Sequence, residues 1–179
     1  MNHGSWSVPE IAVLCTRPNS IYGQYPLCDL YDIKRDARTY PGGMPIIAHP
    51  PCRAWGRLRH FATIDPAEKE MCCWIVDQVR QWGGILEHPA YSTLWDTMAL
   101  PPPTQHDRHG WTMAIKQFWA GHKAEKPTWL YMSGCAPSNV PPFPFRLGTN
   151  DYTIGRSKTG TKKEVSPAER EHTPEPLAR

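Results

Sequence analysis

The stretch "DPAEKEMCCWIVDQVRQWGGILEHP", residues 65–89, decides the fold. Asp65 stands where a helix N-cap belongs, Pro66 suits the first helical position, and Glu68 sits where it would close a capping box. Met71, Ile75, Val79 and Trp82 recur at helical spacing, and Gly83-Gly84 ends the run. "ILEHP", 85–89, then reads as a strand that stops at Pro89. Upstream, "MPIIAH", 44–49, is a β-branched apolar run between Gly42-Gly43 and Pro50-Pro51. The order strand, helix, strand is a βαβ unit, whose two strands should run parallel.

That geometry brings particular residues together. In an open α/β sheet ligands sit beyond the carboxyl ends of the strands, and these ends carry Cys52 and Glu87. Farther out, "IAVLC" (11–15) and "PLCDLYD" (26–32, ending on Asp32) read as two more short strands. "GWTMAIKQFWAG" (110–121) reads as an amphipathic helix leading into a strand in "KPTWLYMSG" (126–134). Ser133-Gly134 would then lie on the same rim as Cys52 and Glu87. The expected architecture is α/β: a small, Rossmann-like, mostly parallel sheet with helices and long proline-rich loops.

The bulk numbers set the frame. At 179 residues the chain can bury one real core, and 20 Lys+Arg against 17 Asp+Glu leave a net charge of only +3, which neither demands nor excludes a polyanionic partner. Proline is frequent, at twenty residues, and clusters in "PPPTQHDRHG" (101–110) and "CAPSNVPPFPF" (135–145), which must be loops. From 146 the chain turns basic and loses apolar periodicity, so residues 1–145 form the expected catalytic domain and 146–179 a basic, loop-rich tail. Within that tail 155–165 reads as a solvated loop, and "SPAE" at 166–169 as a helix start.

No apolar run reaches the roughly 18 residues a membrane span needs, and the start lacks a secretory pattern. The expectation is a cytoplasmic protein with six reduced cysteines and no membrane partner.

Cys52 follows two prolines and precedes Arg53, Arg57 and Arg59, a positive field of the kind that lowers a thiol pKa and makes a nucleophile. Glu87, beside an apolar strand and a proline, is expected to have its carboxyl pKa raised by burial, so that it can hold a proton for a substrate nitrogen. The plain alternatives are a buried free thiol and a salt-bridged carboxylate. Trp55 and Trp111 could stack on bases, or simply pack. His106, His109 and His49 suggest zinc, but neither the His-x-Glu nor the Pro-Cys-x-x-Cys of zinc deaminases is present, so no metal is expected.

"HPPCRAWGRLR" (49–59), "GGILEHPAYSTLW" (83–95) and "KQFWAGHKAEKPTWLY" (116–131), in that order, resemble the catalytic half of DNA cytosine-5 methyltransferases, particularly compact phage and prophage forms. The resemblance covers about 44–132. It implies that Cys52 attacks C6 of a flipped cytosine, that Glu87 protonates or hydrogen-bonds N3, and that Gln117 helps to organise the site. It also implies substrate contacts from Pro51, Arg53, Arg57, His88, Lys123 and Lys126, with the cations on phosphates, and a bacterial or phage-infected cytoplasm. Asp32 and Asp36 fall where S-adenosylmethionine would be held.

The chain departs from that family in several ways. "VLCTRPNSIYGQYP" (13–26) has no Gly-x-Gly turn, the gap to Cys52 is short, no target-recognition domain follows, and His88 replaces an asparagine. DNA or a free pyrimidine nucleotide fits as substrate, and a donor other than S-adenosylmethionine fits the missing turn. A catalytically inert relative binding DNA or a host protein is the reading from another class.

Overall fold

The computed structural model describes residues 9–143, 145–155 and 160–178. Three short apolar runs form the parallel half of one sheet: β1 (Ile11–Leu14), β2 (Cys28–Tyr31) and β3 (Ile46–Ala48). Helix α1 (Pro66–Trp82) returns the chain to β4 (Gly84–Pro89), which pairs parallel with β3, Ile46 opposite Gly84. The βαβ unit is therefore present. Asp65 caps α1, its carboxylate accepting the Ala67 N–H at 2.9 Å, and Gly83, at a φ of 79°, ends it. The Glu68 carboxylate goes to Arg53 instead of closing a capping box.

Cys72, Ile75, Val76 and Val79 of α1 are fully buried against Leu14, Ile46, Ala48 and Leu86. At roughly 1.5–3 kcal/mol for a large apolar side chain, this seam outweighs any single surface contact. Met71 is partly buried beside it, while Trp82 lies at the edge over Gly42.

After the one-turn helix α2 (Leu94–Thr97) the chain departs from the expected helix. Residues Gly110–Lys116 form strand β5, and the strand that follows, β6 (Pro127–Ser133), runs antiparallel both to β5 and to β4. The sheet order is β2-β1-β3-β4-β6-β5. It is a mixed six-stranded sheet with helices, of α/β class, with three parallel and two antiparallel pairings. Period two explains the correction: Trp111, Met113 and Ile115 share one face and pack with Leu130, Met132 and Ile85 in a second apolar cluster. Because β6 is reversed, Ser133 pairs with Gly84 at the far end of the sheet, so Ser133-Gly134 does not share the rim of Cys52.

The chain beyond 146 folds back onto the protein. Tyr152 bridges to Ala124, β7 (Tyr152–Thr153) pairs with β8 (Lys163–Glu164), and Val165 is buried. Of the expected solvated loop, 156–159 lie outside the described residues and 160–164 are exposed. Helix α3 (Pro167–Arg170) begins as expected, Ser166 Oγ accepting the Glu169 N–H at 3.2 Å, and α4 (Glu175–Ala178) brings Leu177 against the second cluster. Among the described residues no helix is long and apolar enough to cross a membrane.

Candidate active site

Two strand ends and one strand start meet at a single rim. β3 stops before His49, whose N–H donates to the Leu14 carbonyl and locks the Pro-Pro-Cys segment beside β1. The Cys52 carbonyl accepts N–H bonds from Trp55 and Gly56, closing a tight turn that holds Cys52 exposed at the mouth. β4 delivers Glu87. β5 ends at Lys116, just where β6 begins, so Gln117 and Lys126 reach the same place from the antiparallel half.

Of these residues His49, Cys52, Glu87 and Lys126 line a cavity of about 310 Å³, near the lower end for small-ligand sites, and Gln117 stands behind Glu87. His49, Pro51 and Glu87 form its floor, Cys52 stands exposed at its mouth, and Arg17, Lys126 and residues 170–173 of the C-terminal segment complete the lining. The pairing of Cys52 with Glu87 in one pocket is what strand order alone led one to expect.

Glu87 is held from both sides. His49 Nδ1 lies 2.7 Å from Oε2, and Gln117 Nε2 donates to Oε1 at 2.7 Å while also donating to Thr128 Oγ1 at 3.1 Å. Tyr22 Oη lies 3.2 Å from His49 Nε2 and completes the chain. Burial alone would raise the Glu87 carboxyl. The hydrogen bond from His49 and the charge of Lys126 overcome that and bring it down to about 2. The expectation of a raised carboxyl is thus corrected: Glu87 is an anion at neutral pH.

The thiol moves the other way from the expected one. Burial of Sγ within the pocket, then the charge of Glu87, raise the Cys52 pKa, and Lys126 pulls against them. The arginines do not supply the field. Arg53 pairs with Glu68 at 2.6 Å, Arg59 caps the Gly56 carbonyl, and Arg57 is an exposed side chain; none of the three lines the pocket. Arg53 and Arg57 remain outward-facing, while Pro51 and Lys126 do line it.

His88 is corrected most fully. Alternation along β4 turns it to the opposite face from Glu87, where it is 1% exposed beside Trp95. Neither ring nitrogen has a well-formed hydrogen bond, and burial brings its pKa down to about 4, so it is neutral and contacts no pocket ligand. Trp55 packs in the core, and Trp111 bonds the Cys135 carbonyl at the far end of the sheet. His106 and His109 line a separate open groove of about 800 Å³ there, and among the described residues no cluster of three or more His, Cys, Asp or Glu could hold a metal. Lys123 pairs with Glu169.

Asp32 and Asp36 follow β2, but neither lines the pocket. Asp32 Oδ1 accepts from its own turn, the Lys34 and Arg35 N–H groups, and Asp36 caps a short turn and pairs with Arg38. The turn after β1 has Cys15 at a φ of 59° and Ser20 Oγ engaged with the Tyr22 N–H. These residues do not gather into a site for the adenosine half of S-adenosylmethionine.

His49, Tyr22 and Arg17 are the site residues that sequence reasoning missed in these roles. The one available signal for His49 was its place three residues before Cys52, at the end of a buried strand. No family model matches this chain, and neither a curated protein nor a solved structure matches it.

Proposed function

We propose that this protein is a pyrimidine C5-modifying enzyme, of the kind that the DNA cytosine-5 methyltransferases exemplify, on a Rossmann-like sheet. The observation that carries this reading is the convergence of Cys52 and a doubly anchored Glu87 on one small pocket beyond parallel strand ends.

The ionisation states define the chemistry. The raised thiol holds a proton and the lowered carboxyl lacks one, so Glu87 meets the substrate as an anion that accepts a hydrogen bond from a protonated N3. The Sγ–C6 bond forms as Sγ gives its proton to solvent, the C5=C6 electron pair moves toward N3, and N3 takes a proton from solvent and donates it in a hydrogen bond to the Glu87 carboxylate. No net proton enters or leaves. C5 becomes carbanion-like and takes an electrophile; the C5 and N3 protons then leave to solvent, Sγ is expelled and takes one proton back, and the ring is restored. Gln117 and His49 position the carboxylate throughout. In a duplex the base must leave the stack to reach this floor. Asp32 and Asp36, the residues expected for S-adenosylmethionine, do not line this pocket, and addition of Sγ to C6 needs no donor.

The test uses the step that needs no donor. Reversible addition of Cys52 exchanges the C5 hydrogen of cytosine for solvent deuterium, which mass spectrometry reads in dCMP and in a single strand containing dC. The wild-type protein is expected to catalyse it, Cys52→Ala to show only background, and Glu87→Gln to be slower by about 100- to 1,000-fold. A folded wild-type protein that exchanges neither substrate refutes this function.

A further inference from the structure

The pocket is roofed by its own chain. Arg170, Glu171, His172 and Thr173 line it opposite His49 and Cys52. Behind the pocket this segment is held by His122 and Lys123 at Glu169; over the pocket it is held by acceptors placed on two cations. Arg17 Nη1 donates to the Ala168 carbonyl at 2.9 Å and its Nε lies 3.5 Å from the Glu171 carboxylate; Lys126 Nζ donates to the His172 carbonyl at 3.2 Å. Arg17 and Lys126 both line the cavity that contains Cys52 and Glu87.

Three features mark these contacts as exchangeable. The Arg17–Glu171 pair is open to solvent, at 48% and 68% exposure, where an ion pair contributes about 0–1 kcal/mol. Lys126 meets a main-chain carbonyl there, a weaker partner for an ammonium than an anion. Lys126 also sits at a φ of 39° and Cys15, across the pocket, at 59°. Left-handed backbone at non-glycine residues costs energy and collects at sites where a side chain must be aimed. The tail presents to the Arg17 fork, from two separate groups, the pair of acceptors that one phosphate presents from a single group.

We propose that Arg17 and Lys126 form the phosphate subsite of this pocket, and that residues 166–173 are a lid which the substrate phosphate displaces. This rests on the reading of the pocket as a pyrimidine nucleotide site. The phosphate is either the 5′-phosphate of a free nucleotide or the phosphodiester of a strand; the recognition chemistry is shared.

Hydrogen–deuterium exchange of the full chain tests it, read at the amides of 167–173 with dCMP, a single-stranded oligonucleotide containing one dC, deoxycytidine, or inorganic phosphate. The phosphate-bearing ligands are expected to raise exchange there, and deoxycytidine to leave it unchanged. Whether dCMP or the oligonucleotide opens the segment at lower concentration identifies the source. Arg17→Ala and Lys126→Ala are expected to raise exchange without ligand and to weaken binding of the effective phosphate ligand at least tenfold, a larger loss than for deoxycytidine. Arg17→Lys, which keeps the charge and loses the fork, should fall between.

Deoxycytidine binding as tightly as both phosphate-bearing ligands, or unchanged exchange with phosphate ligand bound, overturns the proposal. If no pyrimidine ligand binds, the nucleotide reading of the pocket fails. Inorganic phosphate then decides the lid by itself: a saturable rise in exchange at 167–173, with a midpoint that Arg17→Lys moves to higher phosphate, supports it, and its absence overturns it.

Discussion

Glu87 and His88 are neighbours in sequence with opposite fates, and the cause is one step of strand alternation. Glu87 faces the pocket, where His49 and Lys126 keep it ionised; His88 faces the core, where burial outweighs the charge of Glu87 and holds the ring neutral. The His88 ring binds a proton at about 6.5 when unfolded and at about 4 when folded. The unfolded chain therefore holds more protons between these values, and stability falls as the pH drops from about 6.5 to 4, by about 3 kcal/mol in all. Above pH 5 the change comes before the low-lying carboxylates of Glu87 and Asp107 contribute. His88→Leu is expected to remove about 2 kcal/mol of the stability loss between pH 7 and 5, measured by urea unfolding at both pH values. It should leave C5 exchange within about threefold of wild type, since the ring does not line the pocket. Unchanged pH dependence in the variant would contradict the neutral, buried imidazole. The alternation that separates the two residues was readable in "ILEHP", yet a motif reading places both at the site because it follows the order of residues and not the faces of a strand.

The elements were legible where one period dominated. α1 announces itself through Asp65, Pro66 and Gly83-Gly84, and its two flanking strands follow from it. β5 was hidden because "GWTMAIKQFW" is apolar at both spacings, and only pairing with β6 decides between them. That choice also decides the site, since a helix there would not carry Gln117 to Glu87. One of the two tightest requirements in the sheet, with Gly110 of β5 the other, lies at the other end of β4. Gly84 has a φ of 119°, and a Cβ there would stand 2.0 Å from the Ile46 carbonyl oxygen. Relief would need β3 and β4 to part where they pair. Gly84→Ala is expected to lower the unfolding free energy by more than about 3 kcal/mol. Gly43→Ala, at a φ of 89° with open space around it, should cost only the backbone strain, about 1–2 kcal/mol. Similar denaturation midpoints for the two variants would show that β3 and β4 are not so closely apposed.

At the scale of the whole molecule the question is whether the chain beyond 146 belongs to the fold. Composition marks it as a tail, because it carries little apolar periodicity. Its attachment runs instead through polar groups that no hydropathy pattern reports. His122 is fully buried; its Nδ1 lies 2.9 Å from the Ala124 carbonyl and 3.0 Å from the Ala124 nitrogen, and its Nε2 lies 2.8 Å from the Glu169 carbonyl. One imidazole thus joins the β5–β6 connection to α3, with Val165 buried nearby in sequence as the apolar anchor. Removing the ring leaves a buried carbonyl and a buried N–H without their partner, a loss of about 1–3 kcal/mol. Because the main core between α1 and the sheet does not include this contact, the cost should fall locally. His122→Ala is expected to raise amide exchange and protease cleavage across 165–178 at least tenfold, while the amides of β1, β3 and α1 keep their protection. Global unfolding of the variant, with all amides exchanging together, would mean that the C-terminal segment is part of the same cooperative unit as the sheet. It could not then open over the pocket without unfolding the protein, and the lid and the core would be one structure.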